Sequence, residues 1–139
     1  MTRFKSALVV VALLLPPVAQ AQQMTLGEAE FVNSCAQCHG LSGTGDGVLA
    51  GYLNTPLPDL TGLQAANGGV FPVSYIYRVI EGGATVGAHG TREMPAWGQR
   101  YSYDANRVLG MEHSEAEMGG FVRGRILALI EYIASIQVE

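Results

Sequence analysis

Cys35-Ala36-Gln37-Cys38-His39 is the stretch of this chain whose residue types and spacing most directly dictate chemistry. Two thiols two residues apart, followed at once by an imidazole, form the attachment signature of a c-type haem. Each thiol can add to one vinyl group of the same porphyrin, and His39 is then aimed at the iron from the proximal side. Other uses of the pair fit less well. A disulfide between residues this close would shut a tiny, strained loop. A thioredoxin-like redox pair needs alternating strands and helices around it and gives His39 no task. A zinc site needs a second pair of ligands, and the sequence holds only two cysteines.

A haem iron held by His39 has a sixth position to fill. The first candidate is Met94, in Thr91-Arg92-Glu93-Met94-Pro95-Ala96-Trp97-Gly98. Pro95 biases Met94 to an extended conformation and so to a defined loop. A methionine is more often core filler than a ligand, but here no helical periodicity surrounds it. His89 and His113 are the rivals, since two histidines can also hold a haem. Met24, Met111 and Met118 lie near expected helix ends. A methionine–histidine pair would raise the reduction potential, because a soft, weak sulfur donor favours Fe(II).

These residues need elements to position them. Thr25 and Glu28 have the spacing of a capping box that opens a first helix, with Leu26 and Phe31 on its apolar side. Gly40 to Gly47 carries four glycines and reads as a loop. A phosphate cradle would need a strand before it and a helix after it. Close backbone approach to a flat cofactor accounts for the same glycines. Residues 54–63 form a proline-restricted loop. Pro72 suits the first position of a helix carrying Val73, Ile76, Tyr77 and Ile80, with Gly82-Gly83 as its stop. Residues 84–106 read as irregular. Residues 107–119 give conflicting signals: Ser114 and Glu117 suggest a capping box, while Gly119-Gly120 follow closely. From about Phe121 to Gln137, Val122, Ile126, Leu129, Ile130, Ile133 and Ile136 recur at helical steps. No stretch alternates with period two. The expected class is all-α, with three or four helices and long loops. Such loops argue against a compact domain unless a cofactor completes the core.

Composition sets further bounds. Arg3 and Lys5, the apolar run from Ser6 to Leu15, and Ala19-Gln20-Ala21 have the form of a signal peptide cleaved after Ala21. A retained anchor is the alternative, but the run is short and Pro16-Pro17 interrupts it. The expected organisation is therefore a leader over 1–21 and one domain over 22–139. Cleavage removes Arg3 and Lys5 from the eight basic residues and none of the twelve acidic ones, leaving a net charge of −6. All remaining basic residues are arginines. That balance does not suit nucleic acid, and no basic amphipathic helix points to a membrane surface.

The motif, the Met94-Pro95 loop and the helical pattern together resemble the class I, monohaem c-type cytochromes of bacterial periplasms, over most of residues 25–137. The resemblance implies one covalently attached haem c with its iron. It also implies a cytochrome c fold in which the first and last helices cross. Gly27 and Phe31 on one helix, and Leu129 and Tyr132 on the other, match that crossing. It further implies that a proline carbonyl accepts the free N–H of the proximal histidine. Pro58 has that place, with Pro56 competing. Trp97 resembles a tryptophan packed beside the haem propionates, though a core aromatic would look the same. The implied role is periplasmic, single-electron transfer without catalysis. An exported dehydrogenase would be the donor; a terminal oxidase, a reductase or another cytochrome would be the acceptor. A small subunit of an exported dehydrogenase is the alternative within electron transfer. A haem enzyme or gas sensor is the alternative outside it, if the sixth ligand is labile. The mature chain departs from lysine-ringed members in having no lysine, which speaks against a partner that recognises a strongly basic face.

Overall fold

Thr25 starts the helical part of the chain. Its hydroxyl accepts a hydrogen bond from the Glu28 amide at 3.1 Å, satisfying one orphan donor of helix α1, Leu26–Glu30. Only this half of the expected capping box forms. The helix then widens across Phe31–Cys35, where the Ala36 amide reaches back five residues to the Phe31 carbonyl. Helix α2, Ala36–His39, returns to ordinary geometry and carries the end of the motif. Such wide turns are rare and recur at functional sites. Here the turn leaves both Phe31 and Cys35 buried.

The structure, a computed structural model, describes residues 23–83, 94–110 and 112–138. The expected leader, His89, Arg92 and Met111 lie outside these residues. Beyond the motif, a short turn over Leu60–Gly62 leads into α3, Leu63–Ala66, and then α4, Val73–Glu81. Pro72 stands one position earlier than expected, capping α4 rather than opening it. Its carbonyl accepts from the Tyr75 and Ile76 amides, each at 3.1 Å. Gly82 ends α4 in the left-handed region at φ +99°, its amide bonded to the Arg78 carbonyl.

Two elements differ from the sequence reading. Residues 97–109, expected as irregular and as the start of an ambiguous stretch, form helix α5, Trp97–Leu109. Its buried stripe is only one residue wide: Trp97, Tyr101 and Ala105, with Gly98 beside it. The remaining positions are mostly polar, so the apolar signal was thin. Gly98 weakens intrinsic propensity, yet a Cβ there would stand 2.8 Å from the Glu81 carbonyl oxygen. The glycine lets α5 begin against the end of α4. The last helix, α6, spans Glu115–Ser135 and starts earlier than Phe121. Ser114 and Glu117 form a complete reciprocal capping box, with the Glu117 carboxylate also taking the Ser114 hydroxyl at 2.7 Å. This start carries the helix through Gly119-Gly120, which cost it roughly 1 kcal/mol each relative to alanine.

The core lies where α1, α4 and α5 meet α6. Phe31, Ile126, Leu129 and Tyr101 are its largest fully buried side chains. At Gly27 the backbones of α1 and α6 touch. A Cβ there would sit 1.9 Å from the Ala128 carbonyl oxygen and 3.0 Å from Tyr132 Cβ. One turn on, the Phe31 and Tyr132 rings pack at 5.0 Å between centroids, tilted by 45°. The pattern of Gly27, Phe31, Leu129 and Tyr132 is thus a real helix contact. No strand occurs among the described residues, and no described helix is long and apolar enough to cross a membrane. Gly27→Ala overpacks this contact and is expected to cost at least about 1–3 kcal/mol. Gly124→Ala, on an open stretch of α6, should instead stabilise by up to about 1 kcal/mol. Denaturant midpoints of the two haem-loaded variants measure both effects.

Candidate haem site

His39 is the last residue of α2, so the carbonyls around it lack helical partners. The glycine loop supplies them. The amides of Gly45, Gly47 and Leu49 donate to the carbonyls of His39, Cys38 and Gln37 at 2.8, 3.1 and 2.9 Å. A Cβ at Gly47 would come within 2.5 Å of the Gln37 and Cys38 main chain. At Gly47 the close approach that the glycine permits is to the motif's own backbone. Gly40, at φ +80°, turns the chain out of α2, and a Cβ on it would strike the Asp46 carboxylate.

The proline loop is held from two sides. Leu60 donates its amide to the Gly43 carbonyl at 2.8 Å, and Asp59 Oδ1 takes both the Thr61 amide (2.8 Å) and the Thr61 hydroxyl (2.6 Å). These two bonds hold the Asp59 carboxyl below its ordinary value, the hydroxyl being the larger cause. At the far end of α6, Gln137 Nε2 donates to the Leu60 carbonyl at 2.7 Å, and its amide oxygen accepts from Gln64 at 2.8 Å. The Val138 amide adds a bond to the Thr61 carbonyl at 2.9 Å. One glutamine past the last helix thus fixes the loop beside the motif.

Two cavities flank the motif, of about 430 Å³ and 140 Å³. The larger is of the size that small-molecule and cofactor sites take. Cys35, His39 and Met94 line both cavities. Cys38, Trp97, Arg100 and Pro56 line the larger, while Pro58 lines the smaller with Leu60, Ile76, Ile80, Leu129 and Ile133. Met94, Pro58 and Trp97 all therefore reach the space beside the motif. Trp97 is at once a wall of the larger cavity and a member of the core. The Arg100 guanidinium stacks over its ring at 4.9 Å, a cation–π contact. His113 is elsewhere. Its Nδ1 lies 2.6 Å from the Gly110 carbonyl in the turn between α5 and α6, and a carbonyl only accepts, so that nitrogen carries the proton. Of the described methionines, Met94 alone lines these cavities.

The site fits a flat, mostly apolar group. Cys35 and Cys38 form no disulfide with each other. The Ser34 hydroxyl, buried in the wall of the larger cavity, has no hydrogen-bond partner in the chain, a cost that a polar edge of a bound group would relieve. In the chain before attachment, burial pushes the Cys35 thiol up to about 12, with the Glu30 carboxylate adding to the rise and Arg100 opposing it. The thiol, not the thiolate, is then the resting species at that position. Burial also raises the Tyr101 phenol, again with Glu30 beside it. The Tyr101 hydroxyl makes no hydrogen bond of good geometry there. Glu30 and Tyr101 carried no spacing signal in the sequence, because they meet the motif only through the wide turn and the packing of α5.

A family model described as cytochrome c oxidase, cbb3-type, subunit III, matches residues 22–108. The chain belongs to this family of monohaem c-type cytochromes. No curated protein and no solved structure matches it. The family fixes the cofactor of this cytochrome as one covalently attached haem c with its iron, and its activity as haem-based electron transfer. The helical fold agrees with the cytochrome c class. Helix α6 lies beyond the matched residues, yet supplies much of the core, and Gln137 just past its end clamps the proline loop. The clamp and the Asp59 turn predict an acid-side signature. Because the folded-state value of Asp59 lies below the unfolded one of about 3.8, its contribution is full above that pH and fades as pH falls through the folded value. Asp59→Asn should remove this part of the acid-side loss, seen as a flatter limb in chemical denaturation repeated from pH 5 downwards.

Proposed function

We propose that this cytochrome carries single electrons in the periplasm, after removal of residues 1–21, through a haem joined to Cys35 and Cys38 and ligated by His39 and Met94. The observation that carries the reading is that Cys35, His39 and Met94 line both cavities beside the motif. Bound there, the haem supplies one-electron chemistry between Fe(III) and Fe(II). The chain's own residues do the rest. His39, at the end of a backbone-anchored turn, has its main-chain position fixed by the glycine loop. In this reading the Pro58 carbonyl would accept the N–H of the His39 ring nitrogen that does not hold the iron, orienting the ring and raising its basicity. Met94 contributes a weak, soft donor that favours the reduced state. Trp97 and Arg100, which line the larger cavity, would hold the polar edge of the haem, and the aliphatic residues of α4 and α6 that line the smaller one would shield it from water. Held by His39 and Met94 together, the iron would take no substrate, which would make the protein a carrier rather than an enzyme. The family match opens at residue 22, next to the expected cleavage site, in keeping with a leader over 1–21.

The family name, a subunit of a cbb3-type oxidase, favours electron flow toward a terminal oxidase. An exported dehydrogenase is the proposed donor, and a reductase or another cytochrome are the other acceptors that this reading admits. The same name favours a second reading, in which the chain works as a bound subunit rather than a free shuttle. Stable co-purification with a larger redox chain separates the two. Met94→Ala tests the ligation. The oxidised wild type should show a low-spin spectrum with the sulfur-to-iron charge-transfer band. The variant should lose that band, bind cyanide and carbon monoxide, and drop in potential. A variant spectrum identical to wild type would eliminate Met94 as ligand.

A further inference from the structure

Glu30 and Arg125 form an ion pair between α1 and α6, with the Arg125 Nη1 donating to Glu30 Oε1. Their side chains retain only 13% and 27% exposure. Arg125 also stacks over the Phe121 ring at 5.0 Å, which holds the guanidinium in place. The wide turn over Phe31–Cys35 reaches back five residues. It brings Glu30 and Cys35, also five apart, to one side of the helix. Glu30 is accordingly felt at both Cys35 and Tyr101. The charged and titratable groups around it are Arg125 from α6, Tyr101 and Arg100 from α5, and Cys35 from its own helix. Tyr132 of α6 and Glu28 of α1 interact with each other. A half-buried charge in such surroundings is screened little by salt.

We infer that Arg125 holds up the reduction potential of the haem by neutralising the Glu30 carboxylate, which the wide turn brings to the side of Cys35. The inference rests on the proposed attachment at Cys35. The oxidised centre carries one more positive charge than the reduced one. An uncompensated Glu30 carboxylate would stabilise Fe(III) and lower the potential, whereas an uncompensated Arg125 would raise it. Paired, the two nearly cancel at the haem. The pair also ties α1 to α6, but a purely mechanical tie has no sign.

The test uses the haem-loaded full chain and four proteins: wild type, Glu30→Gln, Arg125→Gln and the double variant. Spectroelectrochemical titration of each should show the potential rising in Glu30→Gln, falling in Arg125→Gln and returning close to wild type in the double variant. Each single shift is expected to change the Fe(III)/Fe(II) ratio at fixed applied potential about tenfold, 59 mV for a one-electron couple. Shifts of the same sign in both single variants, or loss of stability with unchanged potentials, would overturn the inference. Either single variant decides the sign if the other does not fold. The charge-transfer band recorded on the same samples reports Met94 ligation separately. Its absence from wild type would remove the ligation reading and leave the signs of the shifts to judge the ion pair.

Discussion

The contact on which the structure depends is the meeting of two backbones at Gly27 and Ala128. The absence of a side chain at Gly27 lets α1 reach the Ala128 carbonyl directly, and two bulky helices could not approach so far. From that contact the neighbouring residues take their places. Phe31 meets Tyr132 a turn later, and Glu30 meets Arg125 across the same seam. The motif that follows is therefore presented from a helix whose position is already fixed. Burial of Phe31, Ile126, Leu129 and Ile130 supplies the apolar stabilisation behind it, of order 1.5–3 kcal/mol for each side chain fully buried.

The rest of the site is made by loops, and they are held by main-chain bonds rather than by packing. Residues 45–49 run back along the motif and take its last free carbonyls. The Asp59 turn and the Gln137 side chain hold the proline loop to the end of α6. This arrangement solves a problem of size. A single domain of this length buries only a limited core, and much of its inner surface here faces the two cavities beside the motif. The covalently attached haem c completes that core as well as serving as the redox centre.

The charges near the site are arranged unevenly. Burial keeps Cys35 protonated before attachment, and a carboxylate below it strengthens that effect. On the other side, Arg100 stacks on Trp97 at the wall of the larger cavity. Over residues 22–139 acidic residues predominate, with no lysine. The site thus combines a local arginine on its aromatic wall with a net negative charge on the chain around it.

What the sequence determined by itself was whatever local covalent chemistry and short-range periodicity carry. Cys35, Cys38 and His39 announced their cofactor by spacing alone, and the family match agrees with that cofactor. The helix rich in isoleucine and leucine was readable because its signal repeats within a few residues, whereas the Ser114–Glu117 box that opens it was obscured by Gly119-Gly120. Helix α5 was not, because its buried stripe of Trp97, Tyr101 and Ala105 is narrow and its other positions are polar. The glycine loop was legible only in part: composition shows that backbone comes close to something, but not that Gly47 lies against the motif's own main chain. Only the tertiary structure decided that Met94 and not His113 lies beside the motif, that Pro58 and Pro56 line different cavities, and that Glu30 sits below Cys35 against Arg125. Those are contacts between residues far apart in sequence, and the packing of α1, α5 and α6 sets them rather than any property of the residues themselves.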